Sequence, residues 1–308
     1  MLGLGLGLQK STKLGGFIGL LDLVPNAAAA YSVRLLRKNY SGGLVRVIAY
    51  DGSTQYGAAD VMPYNTGDGF WVDLNSPLET LDATATGRGL TTSSTLADLC
   101  SAGVNNYDGL VTTFYGQNST SPIDATQLSL SFMPRIVNSG VLEVENGRPA
   151  LKPQSASVIM SFPSFAAANY QIQVVGNSSG DNGSFVSGGD SGDDRFDFGV
   201  RTTSDTRILV SESGVSESID TSSDYTNQQI LLIGNQQQLR VNGSQVSTGT
   251  ITNELQSSVF SFTLFKRQFG VTVVGGSLNL QEVVIYDSDK NSEILTIESI
   301  TNNAFNIY

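Results

Sequence analysis

The sequence predicts an all-β fold: a two-sheet β-sandwich of the jelly-roll type with one early helix, a short C-terminal helix and an extended N-terminal arm. Three observations lead to this prediction. From Leu44 onward, short runs alternate between apolar and polar residues, as half-buried strands do. Turn signals such as Asp51-Gly52 and Asn242-Gly243 separate these runs. No internal repeat of fixed period is visible, which argues against a solenoid or a propeller.

Two segments predict helices. The stretch AAAAYSVRLLRKNY follows Asn26, a good N-cap residue, and ends at the Gly42-Gly43 pair, so we expect a helix over residues 27–40. A second, short helix is expected over residues 290–303, where apolar and small residues recur at helical spacing: Ile294, Ile297 and Thr301.

The chain opens with MLGLGLGLQKSTKLGG, in which leucine alternates with glycine. A glycine-rich strand with one apolar edge has little to bury against by itself, so we expect it to dock on a neighbouring subunit. This divides the chain into an arm, residues 1–24, and a sandwich, residues 25–308. The predicted assembly residues are Leu2, Leu4, Leu6, Leu8, Phe17, Ile18 and Leu20. The alternative is that the arm pairs within its own sandwich.

Composition narrows the possible functions. The 308 residues are 40% hydrophobic and 15% charged, enough for one large core. A net charge of -11 argues against a nucleic-acid partner. Histidine is absent, which removes Ser/His/Asp triads and histidine metal sites. Cys100 is the single cysteine, so we expect a buried thiol and no internal disulfide. No apolar stretch is long enough to span a membrane.

Acidic residues cluster in the Gly/Ser-rich stretch GNSSGDNGSFVSGGDSGDD, residues 176–194. Calcium binds carboxylates on flexible loops, so this stretch is a candidate calcium site, although it lacks the spacing of an EF-hand. The candidate ligands are Asp181, Asp190, Asp193 and Asp194. The alternative is a solvated loop, and no other cofactor is expected.

A candidate glycan platform lies in NTGDGFWVDLN, a polar, glycine-rich segment. Sugars bind to an aromatic ring with polar groups beside it. Phe70 and Trp71 would supply the rings, and Asp68 and Asp73 the polar groups. The alternative is that Trp71 is a core residue.

Three segments resemble proteins of tailed bacteriophages and, more distantly, the catalytic domain of fungal-type α-L-arabinofuranosidase B enzymes. They are AAAAYSVRLLRKNYSGGLVRV, LADLCSAGVNNYDGLVTTFYGQ and DATQLSLSFMPRIVNSGVLEVENGRPAL. The C-terminal LNLQEVVIYDSDKNSEILTIESITNNAFNIY resembles the closing strand and helix of phage laminin-G-like domains. The resemblance covers about residues 22–155 and 228–308, and it implies a concanavalin-like sandwich.

The sequence departs from that family at two places. Where the family has Asp-Gln-Ser-Gly-Asn-Gly, Tyr115 is followed by GQNST. The Phe-Tyr-Glu-Gly run of the enzymes is missing, and no glutamate lies between Glu145 and Glu212. No catalytic residue can be carried over, so we expect a protein that is not an enzyme.

These observations favour a non-enzymatic structural protein on the surface of a bacteriophage particle: a head decoration, head fibre or tail-fibre-type subunit. Its partners would be other virion proteins and further copies in a symmetric oligomer such as a trimer, and it would be assembled in the host cytoplasm. The alternative is a lectin-like adhesin for host-surface glycans. A glycoside hydrolase, which needs two carboxylates across a cleft, is the third possibility.

Overall fold

The computed structural model describes residues 17–102, 105–118, 122–155, 157–179, 183–189, 194–202, 205–255, 261–269, 272–275 and 278–308. Strands organised in large antiparallel sheets dominate these residues, which confirms the all-β sandwich. The leucines of the arm at positions 2, 4, 6 and 8, and the candidate calcium ligands Asp181, Asp190 and Asp193, lie outside the described residues.

The strands and helices, with their bounds, follow in chain order. The first half contains β1 Ala29–Ser32, β2 Val45–Tyr50, β3 Gln55–Val61, β4 Tyr64–Asn65, β5 Phe70–Trp71, β6 Leu78–Glu79, β7 Ser101–Ala102, β8 Asn105–Asn106, β9 Asp108–Phe114, β10 Ala125–Thr126, β11 Pro134–Asn138, β12 Val141–Leu142, β13 Val144–Glu145, β14 Arg148–Pro149 and β15 Lys152–Pro153. The second half contains β16 Met160–Phe162, β17 Gln171–Ser178, β18 Gly183–Gly189, β19 Arg195–Thr202, β20 Asp205–Glu212, β21 Val215–Thr221, β22 Gln229–Asn235, β23 Gln238–Val241, β24 Ser244–Thr248, β25 Phe262–Leu264, β26 Lys266–Phe269, β27 Thr272–Gly275 and β28 Leu278–Tyr286. The α-helices are α1 Leu20–Leu23, α2 Ala83–Gly87, α3 Leu96–Leu99 and α4 Ile294–Phe305, and short 3-10 helices cover Leu130–Phe132 and Asn291–Glu293.

Two sheets form the sandwich. The shorter has six strands in the order β1-β28-β17-β22-β23-β24. The longer follows the order β21-β20-β19-β18-β25-β16-β10-β9-β2-β3-β6; β11 also pairs with β9, and β12 and β15 pair with β11. The helix α4 packs on the outer face of the six-stranded sheet, where the side chain of Gln173 on β17 bonds to the Thr301 hydroxyl.

Aromatic rings connect the two sheets. Tyr31 lies 5.7 Å from Phe114 and 5.2 Å from Phe162, measured between ring centroids. Phe262 continues the chain of rings, 5.4 Å from Phe162 and 5.9 Å from Phe196. All five side chains are almost fully buried. Such offset and edge-to-face pairs stabilise the fold beyond the area that they bury, and Tyr31 is the ring that links the six-stranded sheet to the four rings of the longer sheet.

The prediction of a helix over residues 27–40 is wrong. Ala29–Ser32 form strand β1, which pairs with the last strand, Ala29 opposite Ile285. Asn26 has φ 65°, the left-handed region, rather than the extended conformation of an N-cap. Alanine favours helix only weakly, and a buried position beside a long strand outweighs that preference.

Other local predictions are confirmed. Asn242 and Gly243 have φ 49° and 77°, the backbone that a tight hairpin turn requires, and they join β23 to β24. Asp51-Gly52 turns the chain between β2 and β3. The C-terminal helix runs over Ile294–Phe305 and buries Ile294, Ile297 and Thr301, a few residues later than predicted.

Cys100 is a free, buried thiol, as predicted. Burial raises its pKa to about 12, so it stays protonated and unreactive at neutral pH. In the part of the chain that the structure describes, no helix has both the length and the apolar character needed to cross a bilayer.

The end of the predicted arm packs on the sandwich, which corrects one assembly residue. Leu20 is fully buried in the core, and the backbone N–H of Leu21 donates to Leu36. The Leu20 side chain is therefore buried within its own domain and is not available to bind a neighbouring subunit. Phe17 packs edge-on against Phe70, whereas Ile18 is 58% exposed.

We expect Leu20→Ala to lower the free energy of unfolding by about 2–5 kcal/mol, because it leaves a cavity in a closed core. Leu23→Ala is the matched control in the same short helix. Leu23 is 53% exposed, so its truncation should change stability by less than about 0.5 kcal/mol. Urea unfolding measures both variants. Equal effects would show that Leu20 contributes no more packing than an exposed leucine.

Candidate functional site

A continuous row of polar side chains crosses the longer sheet, one residue per strand. Each member lies directly opposite the next on the neighbouring strand. Ten of its eleven members are polar or charged, and Leu209 is the exception. From β21 to β6 the members are Ser218, Leu209, Asp197, Ser187, Thr263, Ser161, Thr126, Thr113, Arg46, Asp60 and Glu79. We call this set the polar row.

The polar row lies on the face of the sheet that points away from the core. Successive side chains of a strand point to opposite faces, and each member of the row has at least one chain neighbour that belongs to the core. Val45 and Val47 flank Arg46, and Phe262 and Leu264 flank Thr263; all four are buried. The outer face of this sheet is therefore a hydrogen-bonding surface that crosses eleven strands.

The half of the row from Ser161 to Glu79 is at least partly accessible to solvent. At its centre Arg46 Nη1 lies 2.6 Å from Asp60 Oδ1, and the hydroxyl of Tyr115 donates to the same oxygen at 2.7 Å. Arg46 also donates to the carbonyl of Thr80 at 3.1 Å. Burial and the hydrogen bond to Asp60 raise the pKa of Tyr115, so this hydroxyl stays a donor.

A second carboxylate, Asp124, lies beside this group. Its Oδ1 accepts the backbone N–H of Gly116 at 2.9 Å. Burial raises the pKa of Asp124; the negative charge of Asp60 adds to this rise, and the Gly116 hydrogen bond opposes it. We call Arg46, Asp60, Tyr115 and Asp124 the Asp60 cluster.

Gly43 lets the backbone pass close to Asp60 and Tyr115. A Cβ at this position would lie 3.2 Å from the Cβ of Asp60 and 3.3 Å from the Tyr115 ring, closer than ordinary van der Waals contact. The Tyr40 hydroxyl donates to the Gly43 carbonyl at 2.8 Å and holds this backbone in place. Glycine here therefore permits close packing of this backbone against the Asp60 side chain and the Tyr115 ring.

We expect Asp124→Asn to stabilise the fold at pH 7 but not at pH 3. A carboxyl whose pKa is raised on folding holds its proton better in the folded state, so its ionisation costs stability as pH rises above about 4. The amide keeps the acceptor for Gly116 and cannot ionise. In urea unfolding at pH 3, 5 and 7, the free energy of unfolding of the variant should exceed that of the unmodified chain by an amount that grows with pH. A constant difference across this range would contradict the raised pKa.

The predicted glycan platform lies elsewhere, beside the six-stranded sheet. Trp71 is 2% exposed, packs edge-on against Phe305 and has Arg148 over its ring at 4.7 Å. Arg148 thus covers a face of the ring and the side chain is almost fully buried, which corrects its assignment as an exposed platform: Trp71 is a packing residue. Asp68 pairs with Arg148 at 2.6 Å, and Phe70 remains half-buried.

Asp73 and Asp194, the other described members of the predicted sites, bond to backbone. Asp73 accepts the N–H of Asn75 within a turn at 2.8 Å. Asp194 accepts the N–H of Ser213 at 2.7 Å. Across the described residues, no group of three or more carboxylate or thiol side chains is placed to hold a metal ion. Calcium binding stays a prediction.

Comparison with known proteins places the fold. No protein-family model and no curated sequence matches the chain. Among solved structures, an arabinofuranosidase complexed with arabinofuranosyl-α-1,2-xylobiose is similar, with TM-score 0.52, 12% identity, and coverage of 90% of this chain and 62% of that one. Two structures of GH54 α-L-arabinofuranosidase are similar with TM-score 0.50 and 12% identity, covering 90% of this chain and 63% of theirs. One was soaked with 4-nitrophenyl α-L-arabinofuranoside and the other with a cyclic sulfate inhibitor.

These matches show the fold of the chain, a β-sandwich like that of the arabinofuranosidase structures, and the chain spans less than two thirds of the length of those proteins. The expectation that the chain is not an enzyme is contradicted, because these three structures that share its fold are arabinofuranosidases; at 12% identity the likeness shows the fold. The predicted bacteriophage role gains no support from the matches and stays a prediction.

The Asp60 cluster was not predicted from the sequence. Alternation in LVRVIAY places Arg46 on the face opposite Val45 and Val47, which was a usable signal. The register that sets Arg46 beside Asp60 and Thr113 depends on pairing between β2, β3 and β9, which alternation alone does not specify.

Proposed function

We propose that this chain recognises carbohydrate on the outer face of its longer sheet, with the Asp60 cluster at the centre of the site. The polar row is the observation that carries this proposal. Sugars are bound by planar polar side chains that hydrogen-bond to their hydroxyls, together with an aromatic ring. Arg46, Asp60 and Tyr115 offer these groups on one accessible surface.

The fold supports the choice of ligand class. The similar structures include one in complex with arabinofuranosyl-α-1,2-xylobiose, so arabinofuranosyl-bearing oligosaccharides are suitable first probes. A glycan array extends the search to bacterial-surface sugars, which the alternative of a host-surface adhesin requires.

The test is calorimetric titration of arabinofuranosyl-α-1,2-xylobiose and of any array hit. We expect Asp60→Asn and Tyr115→Phe each to weaken binding at least about tenfold, because each removes a charge or a donor at the site. Asp68→Asn, at the other predicted site, is the matched control and should bind as the unmodified chain does. If Asp68→Asn alone lost binding, the glycan site would lie at Asp68 and not at the Asp60 cluster. No binding to any glycan would overturn the proposal.

A second candidate, glycoside hydrolysis at the same place, is favoured by the two carboxylates of the Asp60 cluster. Asp60 is paired with Arg46, whereas burial raises the pKa of Asp124 and makes it the better proton donor. Carboxylates whose environments differ in this way can serve as base or nucleophile and as acid. Release of nitrophenol from 4-nitrophenyl α-L-arabinofuranoside tests it. Turnover that falls at least about 100-fold in Asp124→Asn supports hydrolysis, and turnover unaffected by that variant argues against these residues.

A place on a bacteriophage particle remains part of the proposal, supported by the resemblance of three sequence segments and by apolar side chains at the root of the arm. Ile18 and Leu23 are more than half exposed, although the neighbouring Leu20 is buried. The chain would present its polar row to host glycans while the arm holds the particle. The number of copies of this chain in purified bacteriophage particles tests this proposal. Absence of the chain from the particles would contradict it.

A further inference from the structure

Arg37 is a guanidinium group that lacks an acceptor within the described part of the chain. Its Nε is buried and has no hydrogen-bond partner. Six other arginines each pair with a carboxylate: Arg34, Arg46, Arg135, Arg148, Arg207 and Arg240. With 28 acidic residues for 17 basic ones, the chain has carboxylates in excess. A buried donor without an acceptor is uncommon in folded proteins, and a ligand that supplies the acceptor is one explanation.

Tyr40 holds this guanidinium in place. The Arg37 Cζ lies over the Tyr40 ring, 5.6 Å from the ring centroid, and the backbone N–H of Tyr40 donates to the Arg37 carbonyl at 3.2 Å. Burial raises the pKa of Tyr40, so the ring stays neutral beneath the cation. A cation is attracted to the face of a tyrosine ring, and a stacked guanidinium keeps the donors of its edge for another partner.

Arg37 lies next to the Asp60 cluster, with Tyr40 between them. The Tyr40 hydroxyl donates to the carbonyl of Gly43 at 2.8 Å, and the Gly43 backbone packs against the Asp60 side chain and the Tyr115 ring. The same Tyr40 ring is close enough to Asp60 for the carboxylate charge to add to the rise of its pKa. A ligand bound at the Asp60 cluster therefore has Arg37 within its surroundings.

The two arginines of this region differ in the ligand group that they suit. The charge of Arg46 is compensated by Asp60 at 2.6 Å, so Arg46 suits uncharged hydroxyls. Arg37 has no such partner, and Lys38, the next residue, is exposed and adds a second positive charge. An arginine binds a carboxylate through two parallel, charge-assisted hydrogen bonds. A carboxylate is thus the group that fits Arg37 best.

We propose that Arg37 forms a second part of the glycan site and binds the carboxylate of an acidic sugar, a uronate, while the Asp60 cluster binds hydroxyls of the adjoining sugar unit. This inference rests on the proposed carbohydrate recognition and specifies its ligand as a charged oligosaccharide. An acidic peptide carries the same group, but the adjoining cluster offers partners for hydroxyls, which favours a sugar.

The experiment compares two trisaccharides that differ only in their branch sugar: arabinofuranosyl-α-1,2-xylobiose, which is neutral, and glucuronosyl-α-1,2-xylobiose, which is acidic. In calorimetric titration, the unmodified chain should bind the acidic one at least about tenfold more tightly. Arg37→Gln should lose this preference and bind the neutral one unchanged. Arg37→Lys keeps the charge without the planar fork, so it should retain part of the preference.

Lys290→Gln is the matched control, because Lys290 also lies over a tyrosine ring, 5.3 Å from the centroid of Tyr286. It changes the net charge by the same amount as Arg37→Gln and should keep the preference for the acidic trisaccharide. The urea midpoint of Arg37→Gln should equal that of the unmodified chain, because the substitution removes no ion pair. A large drop in this midpoint would show that Arg37 is a packing residue and would overturn the inference.

The binding results separate this inference from the proposed function. Equal affinity of the unmodified chain for the two trisaccharides, or a preference that survives Arg37→Gln, would overturn the role of Arg37 and leave carbohydrate recognition standing. A glutamate-rich peptide that binds as tightly as the acidic trisaccharide would show a protein partner in place of a sugar. If neither trisaccharide binds and a glycan array shows no ligand, the proposed function on which the inference rests is removed.

Discussion

Glu282→Gln is expected to lower the free energy of unfolding by about 3–5 kcal/mol, because it leaves Arg34 as a buried charge without its partner. The Glu282 carboxylate is fully buried and accepts from four donors. Arg34 contributes two, at 2.7 and 3.0 Å, the Ser32 hydroxyl one at 2.9 Å and the Gln173 amide one at 2.7 Å. An amide in this place removes the negative charge and turns one acceptor into a donor facing other donors.

Asp68→Asn is the control for this prediction. The Asp68 and Arg148 pair has a similar separation, 2.6 Å, but half of the Asp68 side chain is exposed to solvent. Exposed ion pairs contribute at most about 1 kcal/mol, so the variant should unfold nearly as the unmodified chain does. Urea unfolding at pH 7 compares the two. If Glu282→Gln costs no more than Asp68→Asn, the buried network does not hold β1 to β28.

That network also explains why the first strand was mistaken for a helix. The run of alanines has a local preference for helix, and the residues next to it supply plausible start and stop signals. Its partners are Glu282, Val284 and Ile285, about 250 residues away. A helix preference of about a few tenths of a kcal/mol per residue is outweighed by strand pairing and burial, which depend on the whole chain. By contrast, Asn242-Gly243 and the C-terminal helix depend on neighbouring residues and were predicted.

The candidate site shows the same division between local and long-range information. Alternation identifies the strands and the polar face of each, so Arg46 and Thr113 could be assigned to an outer face from sequence. Placing Asp60 and Tyr115 against Arg46 requires the order β9-β2-β3, and Asp124 reaches the cluster through Gly116. Trp71 was misassigned for a different reason: a single tryptophan in a polar loop gives no information about Arg148, which covers it.

We expect Gln117→Leu to destabilise the fold by about 3 kcal/mol or more. The Gln117 side chain is fully buried and bridges one backbone segment at three points. Its Oε1 accepts from the N–H of Leu36 at 2.8 Å, and its Nε2 donates to the carbonyls of Arg34 at 2.9 Å and Ser32 at 3.2 Å. Leucine fills similar volume but leaves buried backbone groups unpaired, at about 1–3 kcal/mol for each.

Gln127→Leu is the matched control, since the Gln127 amide also bonds to backbone on two segments. It donates to the Ile159 carbonyl at 3.0 Å and accepts the N–H of Ser129 at 2.8 Å, but it is half-buried and water can replace it. Its loss should cost about 1 kcal/mol. Because Gln117 follows Tyr115 and Gly116, its variant should also weaken glycan binding when the fold is held intact at low temperature. Equal unfolding midpoints for the two variants would mean that the segment before β2 holds its conformation without the amide.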